Sequence, residues 1–332
     1  MPRPKLVSTQ PIFPDVRAAL AAHADLEVND SGATWSEAQV RTRCADAQGL
    51  LAFMTDKVDA AFLEACPDLR VIAGALKGFD NFDVAACEAR GVWLTTVPDL
   101  LTAPTAELAL GLAISLGRRI AEGDAHVRSG AFAGWRPALY GVGLAGSTVG
   151  IAGLGKVGLA IARRVAGFEP AAILGFDRSA RPSDLGIEGV GWNALLSRSD
   201  FLFLALPLSP DARHLLGREA LSRARPGQLI VNVGRGSVVD EAAIAEALAA
   251  GRIGGYAADV FEMEDWALAG HPHQIAPDLL GEGARTVLTP HLGSAIADVR
   301  RAIETAAAAN LLAALRGEVP PDAINRPNPR AD

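Results

Sequence analysis

The amino-acid sequence predicts an α/β protein with two domains, each built on a parallel β-sheet. Its 332 residues correspond to two domains of roughly 150 residues each. Short apolar runs alternate with stretches whose Ala, Leu and Val recur at helical spacing, which is typical of βαβ units. The alternation occurs in two series, separated by a long apolar helix and an irregular segment. Half of the residues are hydrophobic and 21% are charged, a composition that excludes disordered and collagen-like chains.

The first series occupies the N-terminal part of the chain and ends near Asp99. Its apolar runs predict strands at Lys5–Thr9, Gly49–Met54, Val71–Leu76 and Val92–Val97. The stretches between these runs predict helices at Pro14–His23, Ser36–Ala47, Ala60–Cys66 and Asp83–Arg90. Because each helix returns the chain to the start of the next strand, we expect the strands to be parallel.

A helix predicted over Thr102–Ile120 follows, and it is apolar almost all round. Such a helix is buried between layers or at a contact between subunits. Thr102 can cap its first turn, and Pro104 suits that turn because it lacks a backbone N–H. The irregular segment Ser129–Gly146 comes next, and we expect it to join the helix in a homodimer contact.

The second series begins at Thr148 and ends in one long helix. It predicts strands at Thr148–Ala152, Ala171–Phe176, Phe201–Leu206, Gln228–Asn232, Gly255–Val260 and Thr286–Thr289. The final helix, predicted over Ala295–Arg316, follows the second sheet and is expected to cross back to the first domain. The predicted domains are therefore a discontinuous outer domain of residues 1–99 and 295–332, and a second domain of residues 100–294.

Charge and cysteine content exclude several classes of partner. A net charge of −7 and a pI near 5.5 argue against a nucleic-acid partner. The run Leu108–Leu116 is far shorter than the roughly 20 apolar residues of a membrane span, and the N-terminus lacks the apolar core of a signal peptide. Three cysteines without ligand-like spacing indicate a reducing compartment and no metal site. We therefore expect a cytoplasmic protein without membrane contact.

A glycine-rich loop follows the first strand of the second series. The sequence there reads G-x-G-x-x-G and opens a predicted helix. The first glycine permits a tight turn, the second lets the backbone approach a pyrophosphate, and the third allows close helix–strand packing. The helix N-terminus then offers N–H groups to phosphates. The pattern predicts cofactor contacts from Gly153, Leu154, Gly155, Lys156, Val157 and Gly158.

An acidic residue, Asp177, follows the next predicted strand, 19 residues beyond Gly158. A carboxylate at about 20 residues from the loop binds the ribose hydroxyls of NAD and repels the 2′-phosphate of NADP. Arg178, the next residue, can pair with that phosphate. The sequence therefore predicts NAD as the preferred cofactor, with NADP used less efficiently. The alternative is a structural turn followed by an Asp that caps a helix.

Three polar residues, Arg235, Glu264 and His291, follow late strands of the second series. Ligands of open α/β sheets bind outside the carboxyl ends of the strands, so these side chains can converge on one cofactor. An Arg fixes an anion, a His moves a proton, and a carboxylate holds the His ring in one tautomer. Each alone could be a surface ion pair, a solvated acid or a turn residue. The other histidines have no such context and are predicted to lie on the surface or in loops: His23, His126, His214, His271 and His273.

With the glycine loop, Arg235, Glu264 and His291 in this order, the chain resembles the D-isomer-specific 2-hydroxyacid dehydrogenases over essentially its whole length. The resemblance implies two Rossmann/flavodoxin-like domains with parallel sheets, the outer one discontinuous, and a homodimer. It also implies that Arg235 binds the substrate and that His291, paired with Glu264, is the catalytic acid–base.

Further segments resemble the phosphite dehydrogenase branch of this family. They are residues 75–83, residues 97–102 with 104–107, and residues 255–266. In the last of these, Asp265-Trp266 stands where generic members carry a Pro after the Glu. The resemblance implies that Lys77 contacts the substrate. It further implies a pocket lined or supported by Met54, Gly78, Asp80, Trp135, Tyr140, Trp266, Ser294 and Arg300. The predicted cofactor contacts also include Thr105, Pro207 and Asp259.

Lys77 also fits a phosphite substrate on chemical grounds. Phosphite is a small dianion without a carbon tail, so its binding depends on charge and hydrogen bonds. A 2-hydroxy acid has one carboxylate, which Arg235 and loop N–H groups can hold, whereas a dianion favours a second cation. An isolated Lys is otherwise a surface residue.

The predicted function is therefore oxidation of phosphite to phosphate by an NAD-dependent oxidoreductase. Hydride leaves the P–H bond for the nicotinamide ring, while His291 takes the proton of an attacking water. One alternative is a D-2-hydroxyacid dehydrogenase or glyoxylate-type reductase. An alternative from another class is a protein that binds NAD as a sensor without catalysis.

Overall fold

The structure, a computed structural model, describes residues 3–97, 99–178, 185–281, 283 and 285–327. Pro98, which belongs to one of the segments discussed above, and the tail from residue 328 lie outside the described residues. The chain divides into two compact units. The first comprises the chain up to Leu101, Trp266–Ala269 and the chain from Ala295 onward. The second comprises Thr102–Asp265 and Gly270–Ser294.

The first unit contains a five-stranded parallel sheet. Its strands are β1 (Lys5–Ser8), β2 (Asp25–Val28), β3 (Gly49–Ala52), β4 (Val71–Gly74) and β5 (Trp93–Thr95). Their order in the sheet is β2-β1-β3-β4-β5, the flavodoxin-like order. The helices between them are α1 (Pro14–Ala21), α2 (Glu37–Cys44), α3 (Ala60–Ala65) and α4 (Val84–Ala89). Cys44, Cys66 and Cys87 are free and buried in this unit, and burial raises the pKa of each thiol.

The edge strand β2 is not predicted by the sequence pattern. Its residues Asp25-Leu-Glu-Val28 mix polar and apolar types, and none of the four is fully buried. Parallel pairing with β1, in the register Lys5 opposite Asp25, nevertheless places them in the sheet. An edge strand has only one paired neighbour, so it does not need the apolar run that marks the inner strands.

The long C-terminal helix α12 (Ala297–Leu315) packs on this first sheet, as the predicted crossover requires. Its residues Ile303, Ala307 and Leu311 are fully buried. A Cβ on Gly49 of β3 would lie 2.9 Å from Leu311, so the glycine lets helix and strand approach closely. The first unit is therefore discontinuous in sequence, with the second unit inserted between β5 and α12.

The second unit contains a seven-stranded parallel sheet. Its strands are β6 (Thr148–Ala152), β7 (Ala172–Phe176), β8 (Glu188–Gly189), β9 (Phe201–Leu204), β10 (Leu229–Asn232), β11 (Gly255–Ala258) and β12 (Thr286–Leu288). Their order is β12-β11-β10-β9-β6-β7-β8, which is the Rossmann order with one added strand. The strand order reverses beside β6, the strand before the glycine loop. Two parallel-sheet α/β units of this kind confirm the predicted fold class.

Helices cover both faces of the second sheet, and separate buried clusters lie on its two sides. The helices are α5 (Thr102–Gly117), α6 (Ile120–Arg128), α7 (Lys156–Ala166), α8 (Trp192–Arg198), α9 (Arg218–Ser222), α10 (Glu241–Ala249) and α11 (Pro277–Leu280). Three 3₁₀ turns, at Pro210–Ala212, Gly236–Val238 and Glu262–Glu264, follow strands of this sheet. Two of these turns shape the candidate site.

The helix predicted over Thr102–Ile120 is present as α5, but it ends at Gly117, three residues earlier than predicted. α5 ends at Gly117, and Arg119 adopts the left-handed conformation (φ 54°) before α6 begins. α5 buries Ala109, Leu110 and Leu116 against the sheet and α7, as its apolar character requires. No residue of α6 is buried. The apolar run predicts the buried part of the segment but not the turn that ends it.

Candidate active site

The glycine loop joins β6 to α7, which begins at Lys156. Gly153 has φ 92°, in the left-handed region, and its N–H donates to the Phe176 carbonyl at 2.8 Å. A Cβ on Gly158 would lie 1.8 Å from the Gly153 carbonyl oxygen, so only glycine lets the helix lie this close to the loop. At Gly155 no atom lies within 4 Å of an added Cβ, so the protein leaves that space open. The three glycines thus have the geometry expected in a dinucleotide-binding loop.

Asp177 follows β7 and lies against this loop. Its Oδ2 accepts the Leu154 N–H at 2.8 Å. The two segments border a cavity of about 280 Å³. The cavity is also lined by Phe176, Arg178, Ala205, Leu206, Pro207, Ser209, Asp211, Ala212 and Leu215. A cavity bordered by glycine backbone and by a carboxylate fits the pyrophosphate and the ribose of NAD.

The remaining loop residues differ in what their side chains contact. Leu154 is buried and Val157 is partly buried, and both pack in the core beneath the loop. A cofactor would therefore meet their backbone N–H groups rather than their side chains. Arg178 pairs with Asp211 at 3.2 Å, and both are exposed at the cavity. Asp211 thus competes with a 2′-phosphate for the Arg178 guanidinium.

Asp177→Ala is expected to raise the use of NADP relative to NAD. The change removes the carboxylate that repels the 2′-phosphate, an effect of about 1–2 kcal/mol, or roughly tenfold in the kcat/KM ratio. The measurement is kcat/KM with each cofactor. Asp124→Ala, which removes an exposed carboxylate on α6, should leave the ratio unchanged. An unchanged ratio in Asp177→Ala would show that Asp177 is not the ribose ligand.

Two turns after β11 and β12 bring Glu264 and His291 together. Glu264 ends the 3₁₀ turn after β11, and its Oε1 accepts the Phe261 N–H at 2.8 Å. Its Oε2 lies 2.6 Å from Nδ1 of His291. Because an ionised carboxylate only accepts hydrogen bonds, Nδ1 carries the proton and Nε2 is the basic nitrogen. The two side chains keep 29% and 28% of their surface exposed, so the pair is accessible to a small molecule.

Asp259 builds the turn that presents His291. The His291 backbone has φ 56°, and its N–H donates to the Asp259 carbonyl at 3.0 Å. The Asp259 carboxylate accepts the N–H groups of Leu292 at 2.6 Å and of Gly293 at 2.8 Å. Burial raises the pKa of this carboxyl, and the hydrogen bonds oppose that rise. Thr105 of α5 also reaches this turn, since its hydroxyl donates to the Gly293 carbonyl at 3.4 Å.

Arg235 lies in the loop after β10, and Asn232 at the end of that strand shapes the loop. The Asn232 amide donates to the Arg235 carbonyl at 3.0 Å and accepts the Gly234 N–H at 3.1 Å. The half-buried Arg235 side chain donates to the Gly234 carbonyl at 3.1 Å. Since β10, β11 and β12 are adjacent and parallel, Arg235, Glu264 and His291 all lie at the carboxyl edge of one sheet.

In the first unit, the loop carrying Lys77 follows β4. Lys77 and Gly78 are half-buried and Asp80 is exposed. The buried Asn81 anchors the loop, because its carbonyl accepts the Val58 N–H at 3.1 Å. The carboxyl end of a parallel strand is where ligands of such sheets bind. The loop is thus held in place at its far end while Lys77 remains accessible.

Arg300 of α12 reaches the same strand end within the first unit. Its Nη1 donates to the Ala75 carbonyl at 3.2 Å, two residues before Lys77. The guanidinium lies 5.6 Å from the centre of the Phe53 ring, and Met54 is the next residue. Burial lowers the pKa of Arg300 from its ordinary value, although Glu304 opposes this. The first unit therefore brings two basic residues to the carboxyl end of β4.

The other predicted pocket residues lie in unlike surroundings. Trp135 and Tyr140 are 85% and 77% exposed, so most of their surface faces away from the unit that carries them. Ser294 is buried just after the His291 turn. Trp266 is half-buried and begins the short segment that groups with the first unit. Their substrate contacts, and the homodimer contact over residues 102–120 and 129–146, stay predictions.

Sequence reasoning misses an acidic group that packs behind Glu264. Glu241, Glu262 and Asp265 accept backbone or histidine N–H groups there, and Glu241 and Asp265 are buried. His214, predicted to be a surface or loop residue, has Nε2 2.8 Å from Oε2 of Glu262. The sequence pattern that could have revealed this group is the cluster of three acids directly after a strand, at Glu262, Glu264 and Asp265. Of these, the sequence pattern assigns a role only to Glu264.

A parallel sheet with this glycine loop and with a His–Glu pair at its strand ends is the arrangement expected of an NAD-dependent dehydrogenase. Residues 110–293 match the family model described as D-isomer specific 2-hydroxyacid dehydrogenase, NAD binding domain. A glyoxylate reductase of Thermococcus litoralis is 37% identical over 85% of this chain and 84% of its own length. The chain belongs to the D-isomer specific 2-hydroxyacid dehydrogenase family. It is an NAD(P)-dependent oxidoreductase of that family.

Solved structures have the same fold over nearly the whole chain. The TT0316 protein of Thermus thermophilus has a TM-score of 0.87 and 32% identity, covering 96% of this chain and 99% of that one. An NADPH-dependent glyoxylate/hydroxypyruvate reductase of Sinorhizobium meliloti, in complex with NADP and malonate, has a TM-score of 0.85 and 29% identity. It covers 99% of this chain and 100% of its own.

Two absences among the described residues concern membranes and metals. Within the part of the chain that the structure describes, no helix is both long and apolar enough to cross a membrane. Among the same residues, no three His, Cys, Asp or Glu side chains are grouped as a metal site would require.

Proposed function

We propose that this chain oxidises phosphite to phosphate with NAD, using His291 as the base. The observation that carries the acid–base role is the 2.6 Å contact between His291 Nδ1 and Glu264 Oε2. This contact leaves Nε2 to take a proton, and the carboxylate stabilises the imidazolium that forms. NAD, when bound at the glycine loop, supplies the acceptor for the hydride.

The reaction balances without a further reactant. Phosphite, water and NAD⁺ give phosphate, NADH and one proton. The P–H bond breaks with its electron pair leaving as hydride, and a P–O bond forms to the water oxygen. Nε2 of His291 takes the proton that the water loses. Arg235, a fixed fork of N–H donors, holds the anion and offsets the negative charge of the transition state.

Phosphite as substrate is supported by the basic residues of the first unit. Lys77 lies in the loop at the carboxyl end of β4. Arg300 of α12 reaches the same strand end, where it donates to the Ala75 carbonyl. A dianion with three oxygens and no apolar part gains most from several cations. A monocarboxylate has less charge for such a pair of cations to neutralise.

Phosphite labelled with deuterium on phosphorus tests this reaction directly. Direct hydride transfer predicts one deuterium in each NADH formed, measured by mass spectrometry, and phosphate as the phosphorus product. Reduction of NAD without deuterium transfer, or no reduction at all, would contradict the proposal. Unlabelled phosphite provides the matched control.

Glyoxylate reduction is a second candidate, and the comparisons with known proteins support it better than phosphite oxidation. The Thermococcus litoralis relative is named a glyoxylate reductase, and the Sinorhizobium meliloti structure is named for glyoxylate and hydroxypyruvate. In this case Arg235 would hold the carboxylate, and His291 would give a proton to the carbonyl oxygen as hydride arrives. A sensor that binds NAD without catalysis would not need the His291–Glu264 pair.

Lys77→Ala is expected to lower kcat/KM for phosphite by about 10- to 150-fold and to leave the KM for NAD nearly unchanged. The loss of one charge-assisted contact, about 1.5–3 kcal/mol, accounts for this range. Lys57→Ala is the matched control, because Lys57 pairs with Asp59 on the surface of the same unit. Unchanged phosphite kinetics in Lys77→Ala would show that Lys77 does not take part in substrate binding.

A further inference from the structure

Two 3₁₀ turns of the second unit pack directly against each other. One, Gly236–Val238, follows Arg235, and the other, Glu262–Glu264, ends at the catalytic carboxylate. A Cβ on Gly236 would lie 1.9 Å from the carbonyl carbon of Phe261 and 2.3 Å from the Glu262 nitrogen. The backbones therefore touch at a point where no side chain fits. This close packing is expected to couple the positions of the two turns.

Asp265 joins the two turns through a buried hydrogen bond. Asp265 is only 4% exposed, and its Oδ2 accepts the Ser237 N–H at 2.6 Å. Asp265 directly follows Glu264, and Ser237 comes two residues after Arg235. One carboxylate thus connects the segment that carries Arg235 to the segment that carries Glu264.

A second set of bonds holds the same turns from behind. Glu241 and Glu262 bind each other's backbone, since each carboxylate accepts the other residue's N–H at 2.8 and 2.9 Å. The second oxygen of Glu241 accepts the Ala276 N–H at 2.9 Å. His214 completes the set: Nε2 lies 2.8 Å from Glu262, and its backbone N–H donates to the Ser237 carbonyl at 2.7 Å. The backbone N–H and the backbone carbonyl of Ser237 are therefore both hydrogen-bonded.

We propose that Asp265 is a positioning residue that fixes the spacing between Arg235 and Glu264. The inference rests on the proposed dehydrogenase function of these two residues, but it holds for either substrate candidate. Arg235 places the anion and Glu264 places the His291 ring, so the hydrogen bond from Ser237 to Asp265 sets where the substrate lies relative to the base. Asp265 itself does not need to contact the substrate.

Loss of this hydrogen bond should affect both the binding of the anion and the position of the His291 base. Asp265→Ala leaves the Ser237 N–H without its acceptor and frees the Arg235 loop to move relative to the Glu264 turn. A displacement of about 1 Å in a catalytic geometry costs roughly 10²-fold in rate. We therefore expect kcat/KM for the anionic substrate to fall about 10²-fold, with changes in both kcat and KM. The KM for NAD should stay within about twofold, because the glycine loop is not part of this contact.

Kinetics of matched variants test the proposal with whichever anion the wild type turns over. Asp265→Asn retains an amide oxygen for the Ser237 N–H and should recover most of the lost kcat/KM. Asp200→Ala is the control. Asp200 also accepts a backbone N–H, from Thr148 at 2.8 Å, but it lies at the amino ends of the strands, away from the candidate site. It should leave both constants unchanged. On an Arg235→Ala background, Asp265→Ala should add much less than it does alone, because coupled residues are not additive.

A spectroscopic measurement tests the proposal without any turnover. The proton between His291 Nδ1 and Glu264 Oε2 should give a downfield proton resonance, assigned by its loss in His291→Gln. Asp265→Ala should shift or abolish this resonance, whereas Asp200→Ala should leave it in place. An unaltered resonance together with unchanged anion kinetics in folded Asp265→Ala would overturn the positioning role. Absence of activity in the wild type would instead overturn the proposed function, with the resonance still deciding the role of Asp265.

Discussion

His291→Ala is expected to lower kcat by about 10²–10⁴-fold, the usual contribution of positioned proton transfer. In the proposed reaction Nε2 is the only group assigned to take the proton of the attacking water, and alanine has no base. NAD binding should survive, because His291 lies outside the glycine loop and its cavity. The measurements are kcat under saturating substrate and NAD affinity by titration. His126→Ala, an exposed histidine of the same unit, is the control.

The Glu264→Gln variant and the double variant with His291→Ala test whether the two residues act as a pair. Glutamine can still accept the hydrogen bond from Nδ1 but cannot balance the positive charge of the ring, so the loss should be smaller than in His291→Ala. Residues that act as one unit lose much less together than the product of their separate losses. A double variant whose loss equals that product would show that the two residues act independently. Near-normal turnover in His291→Ala would refute the mechanism.

Gly158→Ala is expected to weaken NAD binding by about 10- to 100-fold. The added Cβ would lie 1.8 Å from the Gly153 carbonyl oxygen, a backbone atom that cannot move without opening the loop. Overpacking of this kind costs about 1–3 kcal/mol or more and displaces the N–H groups that bind the pyrophosphate.

Two further glycines serve as controls for this prediction. Gly155→Ala has no protein atom within 4 Å of its Cβ, so it should fold normally and weaken NAD binding only through contact with the cofactor. Gly189→Ala on the edge strand β8 also has free space and should leave NAD binding unchanged. NAD titrations with thermal unfolding separate the three cases. Wild-type affinity in Gly158→Ala would contradict the assigned role of the loop.

The inner strands are predictable because burial on both faces requires continuous apolar runs. The sequence predicts β6 with its observed bounds, Thr148–Ala152. It does not predict the edge strands β2 and β8, since their residues are exposed or half-buried and include acidic side chains. Nor does it predict the break after Gly117, because a left-handed Arg119 leaves no mark in an apolar pattern.

Site residues with a local motif are predictable, and those with only long-range partners are not. The glycine spacing indicates Gly153, and a strand end followed by a charged residue indicates Arg235 and Glu264. Asp265 and His214 have no such pattern, because their partners Ser237 and Glu262 lie 28 and 48 residues away. Only the folded chain brings these residues together.

The initial rate of the wild-type enzyme with phosphite and NAD, compared with its rate with glyoxylate and NADH, tests the central claim most directly. Both reactions are followed through NADH absorbance at equal enzyme concentration, and kcat/KM is determined for each substrate. The proposed function predicts that NADH appears with phosphite and that kcat/KM for phosphite exceeds that for glyoxylate. Rapid consumption of NADH with glyoxylate and no NADH formation with phosphite would contradict it and establish the second candidate.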